Sequence, residues 1–141
     1  MERKNTDQLQ QELMTGNDLD RVLTDNDNSF QQHDLQEKLQ SLFDRRSISK
    51  TALAKQSGIS EVYLHQVFSG RRTPSRNRLL CLCFGLEATV EEAQDLLRHA
   101  RFAPLYSRDR RDAILIFGLS HDMTLTQIND KLYAENVDTL C

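Results

Sequence analysis

Twenty-seven residues from Ser49 to Ser75, SKTALAKQSGISEVYLHQVFSGRRTPS, constrain this chain more than any other part of it. They read as two short helices across a tight turn, followed by an arginine-bearing loop. Leu53 and Ala54 in the first helix face a core, and small Ala54, four residues before Gly58, lets a second helix cross closely. Gly58 can take a positive φ without a Cβ clash, which suits the abrupt end of the first helix. Ser60 is a good N-cap for the second, because its hydroxyl can accept from a free backbone amide. Ile59, Leu64 and Val67 then supply apolar plugs. Helix, glycine turn, helix is the geometry that delivers one helix to the DNA major groove.

The pattern A-x-x-x-G-I-S-x-x-x-L-x-x-V, continued as S-G-R-R-x-P-S, resembles the Cro and phage-repressor type of helix-turn-helix, the Xre family, over roughly residues 34–86. The resemblance implies a five-helix bundle that binds operator DNA as a dimer through its third helix. Carried over position by position, it makes Ser60, Glu61, Val62, His65, Gln66 and Ser69 the groove-facing set. Gln66 can bond adenine through both amide atoms, Val62 can touch a thymine methyl, and Glu61 can accept from cytosine. Arg71, Arg72 and Arg76, with Lys50 at the first helix's N-terminus, are expected to hold phosphates and fix register. No Arg, Lys or Asn lies between Ser60 and Ser69, and Val62, Tyr63 and Phe68 make the helix apolar for a base reader. The alternative is therefore a derived module that grips a partner protein with the same face.

The net charge of −3 hides a strong segregation. Met1–Glu37 holds nine acids and three bases, whereas Arg45–Arg78 holds eight bases against Glu61 alone. Leu79–Cys141 returns to ten acids against six bases. The positive block coincides with the helix-turn-helix pattern, as an electrostatic footprint for phosphate requires; a merely solvated charged face is the plainer explanation.

The rest of the chain reads as all-α, with an acidic arm over 1–33, the helix-turn-helix core over 34–86 and a helical extension over 87–141. In the arm, Leu9, Leu13 and Met14, then Leu19, Val22 and Leu23, fit short amphipathic helices, with loops at Thr15–Asn17 and Asp25–Ser29. Asp34 and Glu37 are placed as a capping pair for a helix that buries Leu35, Leu39, Leu42 and Phe43. Thr73 is expected to cap the helix after the arginine loop, with Pro74 at its first position and Gly85 at its end. Thr89 with Glu92, and Thr124 with Gln127, form capping boxes. Ser107 is expected to cap a helix whose Ala113–Phe117 run is apolar nearly all round. Leu125, Ile128, Leu132 and Tyr133 give the last helix its inward stripe. The plain role of the extension is to complete the bundle or form a dimer interface; its functional role is to dock a protein effector.

Other chemistries find little support. Cys81, Cys83 and Cys141 make no disulfide framework, and Cys81 and Cys83 are expected to be buried helix residues. His33, His65, His99 and His121 lack metal-ligand spacing, so neither metal nor cofactor is expected. No nucleophile context or glycine-rich phosphate loop is recognisable, which argues against an enzyme. The opening MERKNTDQLQ lacks an apolar stretch, and Ala113–Phe117 is too short to span a membrane, so a cytoplasmic location is expected.

Overall fold

A computed structural model describes residues 6–15, 19 and 31–141. The described residues form α-helices and connecting turns, with no strand among them. The helices are α1 (Thr6–Thr15), α2 (Gln31–Arg46), α3 (Lys50–Gln56), α4 (Glu61–Ser69), α5 (Arg76–Gly85), α6 (Val90–His99), α7 (Arg110–Ser120) and α8 (Leu125–Ala134). The expected capping by Asp34 fails, because α2 already starts at Gln31 and holds Asp34 one turn inside. Glutamines favour a helix and extend it upstream of the acid. Thr15, expected to open a loop, is instead the last residue of α1; Gly16–Asn17, the expected loop at Asp25–Ser29, Val22 and Leu23 lie outside the described residues, and Leu19 is exposed.

α5 is the hub, because its sequence RNRLLCLCFG is apolar around almost its whole circumference. Every residue from Leu79 to Gly85 is buried. α3, α6 and α8 pack on it, α2 crosses α4 and α6, and α7 lies on α6 and α8. Leu39, Leu53, Leu64, Leu80, Leu97, Leu115, Ile128 and Leu132 share one core that runs from α2 to the C-terminal segment. Cys81 and Cys83 belong to it, and burial pushes the Cys83 thiol up to about 12.

The turns explain where each helix stops. Gly58 adopts φ 64°, and Ile59 N–H reaches back to the Ala54 carbonyl at 3.1 Å. α5 ends at Gly85 as expected, and the position is also close-packed: a Cβ there would lie 1.9 Å from Ser57 Oγ. The left-handed turn falls on Glu87, φ 53°. Ser75, not Thr73, caps α5 by accepting from Arg78 N–H at 3.3 Å. Pro74 is buried ahead of the cap, and Thr73 lies too far upstream to reach the first-turn amides. Asp109, not Ser107, caps α7, accepting from Asp112 N–H at 2.9 Å, while Ser107 sits in a turn closed by Asp109 N–H on the Tyr106 carbonyl. Both capping boxes, Thr89 with Glu92 and Thr124 with Gln127, are present.

Two expectations about burial change. Of the Ala113–Phe117 run only Leu115 is fully enclosed, and Phe117 is 56% exposed. Tyr133 is 79% exposed, because Leu125, Ile128 and Leu132 already define α8's inward stripe and Tyr133 lies about 100° beyond it.

Candidate nucleic-acid interface

The surface around α4 is assembled by α3 beneath it and by the loop that leaves it. Ser49 caps α3 through Ala52 N–H at 3.0 Å, which sets Lys50 at the first helical position. Ser60 caps α4 through Tyr63 N–H at 3.0 Å, and Thr51 donates to the Glu61 carboxylate at 2.9 Å, fixing the two helix starts to each other. Leu64 and Val67 plug α4 into the core, while Val62 stands 68% exposed. Gly70, φ 83°, turns the chain so sharply that Arg71 and Arg72 N–H both return to the Gln66 carbonyl. The arginine loop is therefore held directly against the end of α4.

Six of the ten expected residues line one open groove of about 520 Å³: Lys50, Val62, His65, Gln66, Ser69 and Arg71. Gln40 and Phe68 complete its wall. Phe43 and Phe68 meet edge to face at 5.7 Å, and the Lys50 ammonium lies 5.1 Å from the Phe68 ring centroid. That interaction orients the ammonium without neutralising it.

The remaining four are placed differently. Ser60 uses its hydroxyl for the cap. Glu61 is exposed beside the groove, 3.8 Å from His65 and bonded to Thr51. Arg72 stacks over the Tyr63 ring at 5.3 Å. Arg76 is turned inward, donating to the Ala103 carbonyl at 3.0 Å and pairing with Asp112 at 3.3 Å, so its guanidinium is held inside the fold.

Sequence reasoning misses Arg78, and it sets Tyr63 beside the outward-facing Val62 and Gln66. Tyr63 is buried rather than outward, and Arg78 joins Arg72 on its ring, 4.5 Å from the centroid. The available signal is a basic residue in the first turn of the helix that follows the arginine loop.

The basic block divides into two sets. Arg45 clamps Glu92 with two bonds of 2.7 and 3.0 Å, Arg46 pairs with Glu87 at 3.1 Å, and Arg76 pairs with Asp112. Lys50, Lys55, Arg71, Arg72 and Arg78 have no acidic partner among the described residues. Positive charge left unneutralised is thus concentrated around α4 and the loop after it. No group of three or more potential metal ligands occurs among the described residues.

Residues 35–96 match the family model of a helix-turn-helix domain. The match runs past the expected boundary at residue 86 and takes in most of α6, which Lys38–Asp95 and Arg45–Glu92 pin to α2. No curated protein and no solved structure matches the chain.

Proposed function

We propose that the helix-turn-helix domain at residues 35–96 binds double-stranded DNA as an Xre-like transcriptional regulator. α4 reads base edges in the major groove through Val62, His65, Gln66 and Ser69, with Ser60 and Glu61 at its entry. Lys50, Arg71, Arg72 and Arg78 hold phosphates, and Arg76 supports them from within. The observation that carries the reading is the coincidence of three things: α4's outward side chains, the groove they line, and the cations that no described acid neutralises. No catalytic step or cofactor enters this reading, and a regulator of this kind works in the cytoplasm. No helix among the described residues is long and apolar enough to cross a membrane.

The test separates positioning from reading. Arg71→Ala with Arg72→Ala should weaken binding to all duplexes alike and flatten the log–log salt dependence by about 0.9 for each phosphate no longer neutralised. Gln66→Ala should instead relax preference at one base pair, by roughly 1–3 kcal/mol. An arginine pair that alters preference, beside a Gln66→Ala that alters nothing, would mean that α4 is oriented otherwise.

Regulation by two-fold DNA binders requires a partner copy, and the α7–α8 face supports one. Ala113, Ile114, Phe117, Met123 and Ile128 line an apolar groove of about 440 Å³, with Arg110, Lys131 and Glu135 beside it. A second copy seated there supplies the same groove and the same exposed Phe117, the self-complementary arrangement a two-fold needs. The expected product is a homodimer with recognition helices about 34 Å apart. A light-scattering mass of one chain at high micromolar concentration, free and on DNA, rules it out. A second reading, a protein effector gripped by α4 or by this groove, is favoured only by exposed Val62 and the apolar wall.

A further inference from the structure

The segment 98–111, RHARFAPLYSRDRR, begins just past the helix-turn-helix match and holds five arginines against Asp109 alone, inside a C-terminal part that is otherwise acidic. Most of these cations are engaged. Arg98 pairs with Asp95 at 3.1 Å, Arg110 with Glu135 at 2.6 Å, and Arg111 bonds Asn77 and the carbonyls of Asp138 and Thr139. Arg108 is exposed and pairs with no described residue.

The loop that carries Arg108 is built rather than loose. Gln94 clamps Leu105 in both directions, donating to its carbonyl at 2.9 Å and accepting its N–H at 2.7 Å. Asp112, buried, accepts from Tyr106 N–H at 3.0 Å and from Arg76 at 3.3 Å. Arg76 also holds the Ala103 and Pro104 carbonyls. These bonds fasten the loop to the first residue of α5, the helix that the arginine loop of the DNA-binding surface runs into.

Arg76 and Arg78 are two positions apart on a helix, so they leave α5 about 200° apart, on nearly opposite sides. Arg78 goes to Tyr63 of α4, and Arg76 goes to the 103–104 carbonyls. The flank of α4 and the 101–109 loop therefore bracket the N-terminal end of α5 between them. Tyr106, 58% exposed, and exposed Arg108 lie on the loop that Arg76 fastens to this end of α5, and exposed Arg71 and Arg72 lie on the loop that leads into it.

We propose that the 101–109 loop is a second phosphate-binding element, in which the Arg108 guanidinium and the Tyr106 hydroxyl contact the DNA backbone outside the segment read by α4. The proposal rests on the DNA-binding reading above and extends the DNA-facing surface beyond the matched domain. Arginine and tyrosine are both common donors to phosphate oxygens, and such bonds add affinity without base preference.

The experiment uses the full chain and two mixed-sequence duplexes, one of about 30 base pairs and one trimmed to about 12, titrated across a salt series. Arg108→Glu should bind the longer duplex several-fold more weakly, with its salt slope reduced by about 0.9, while the trimmed duplex and the thermal midpoint stay near wild type. Tyr106→Phe should show a smaller loss of the same kind. If Arg108→Glu binds the long duplex like wild type while Arg71→Ala with Arg72→Ala weakens it, this inference fails and the DNA-binding reading stands. A wild-type chain that binds neither duplex at low salt overturns both. A variant that melts lower, or that loses self-association at unchanged DNA affinity, overturns the inference by assigning the loop a structural or subunit-interface role.

Discussion

Ser57 shows how one residue can be both required by its surroundings and costly to them. Its Oγ is fully buried and has no hydrogen-bond partner, and it occupies the space a Cβ on residue 85 would need. Gly85 is glycine because Ser57 is there. A buried hydroxyl without a partner costs roughly 1–3 kcal/mol in lost solvation. Ser57→Ala removes that cost and leaves a gap of one oxygen atom, so the variant should be more stable, by about 1 kcal/mol, with a thermal midpoint a few degrees higher. A Ser57→Ala protein that melts below wild type would show that the hydroxyl makes a favourable interaction at this site. Gly58 behaves differently, since its φ of 64° and the Leu125 methyl 2.9 Å from where a Cβ would sit both demand glycine. From the sequence alone the positive φ of Gly58 is legible, because glycine at that spacing in a helix turn has one use. The role of Gly85 is not, because it depends on a side chain 28 positions away in the chain.

Among elements, the joint between α2 and α6 decides how the domain responds to acid. The bidentate Arg45 guanidinium holds the Glu92 carboxyl below its ordinary range, with the Thr89 amide adding to the effect, and the Lys38 ammonium does the same for Asp95. Both acids are more protonated in the unfolded chain than in the folded one at the same mildly acidic pH. Their contribution is therefore present above the unfolded values, near 4.3 for Glu and 3.9 for Asp, and is lost as pH falls through the lower folded values. Glu92→Gln should lower the thermal midpoint at pH 7 and narrow its gap to wild type as pH falls below about 4. A constant gap from pH 7 to pH 3 would mean that Glu92 acts through its cap alone. This joint also shows why elements are more legible than their boundaries. Periodic leucines and the two capping boxes are local signals, and α2 through α8 are recoverable from them. Thr73 and Ser107 have the look of caps, but a Ser or Asp two residues further on competes for the same amides, and only packing chooses. The candidate site follows the same division. Val62, His65, Gln66 and Ser69 follow position by position from the family resemblance, whereas the inward turn of Arg76 does not, because its partners lie 27 to 36 residues downstream.

Across the whole molecule, charge is segregated between an acidic arm and a basic domain, and we propose that the arm competes with DNA for that domain. Met1–Glu37 has a net charge of −6, nine acids less three bases, and is tethered to a domain whose free cations surround α4. Part of the arm is not used for packing: α1 leaves Leu13 42% and Met14 76% exposed. The acids Asp18, Asp20, Asp25 and Asp27 lie outside the described residues, so their effect is argued from charge and tethering. A short tether keeps the arm at high effective concentration near the basic face, so weak attraction suffices for competition with phosphate. The Debye length of about 8 Å at physiological salt limits the effect, which should grow as salt is lowered. Deleting residues 1–30 leaves α2 intact from Gln31 and should tighten binding to mixed-sequence duplex several-fold at about 50 mM salt and much less at about 200 mM. The thermal midpoint should stay within about two degrees of wild type, since none of the described residues removed is buried. Competition is the wrong account if the truncated protein binds no better at either salt and melts several degrees lower. The arm would then be packing, with Leu9 as its anchor and the acids simply facing water.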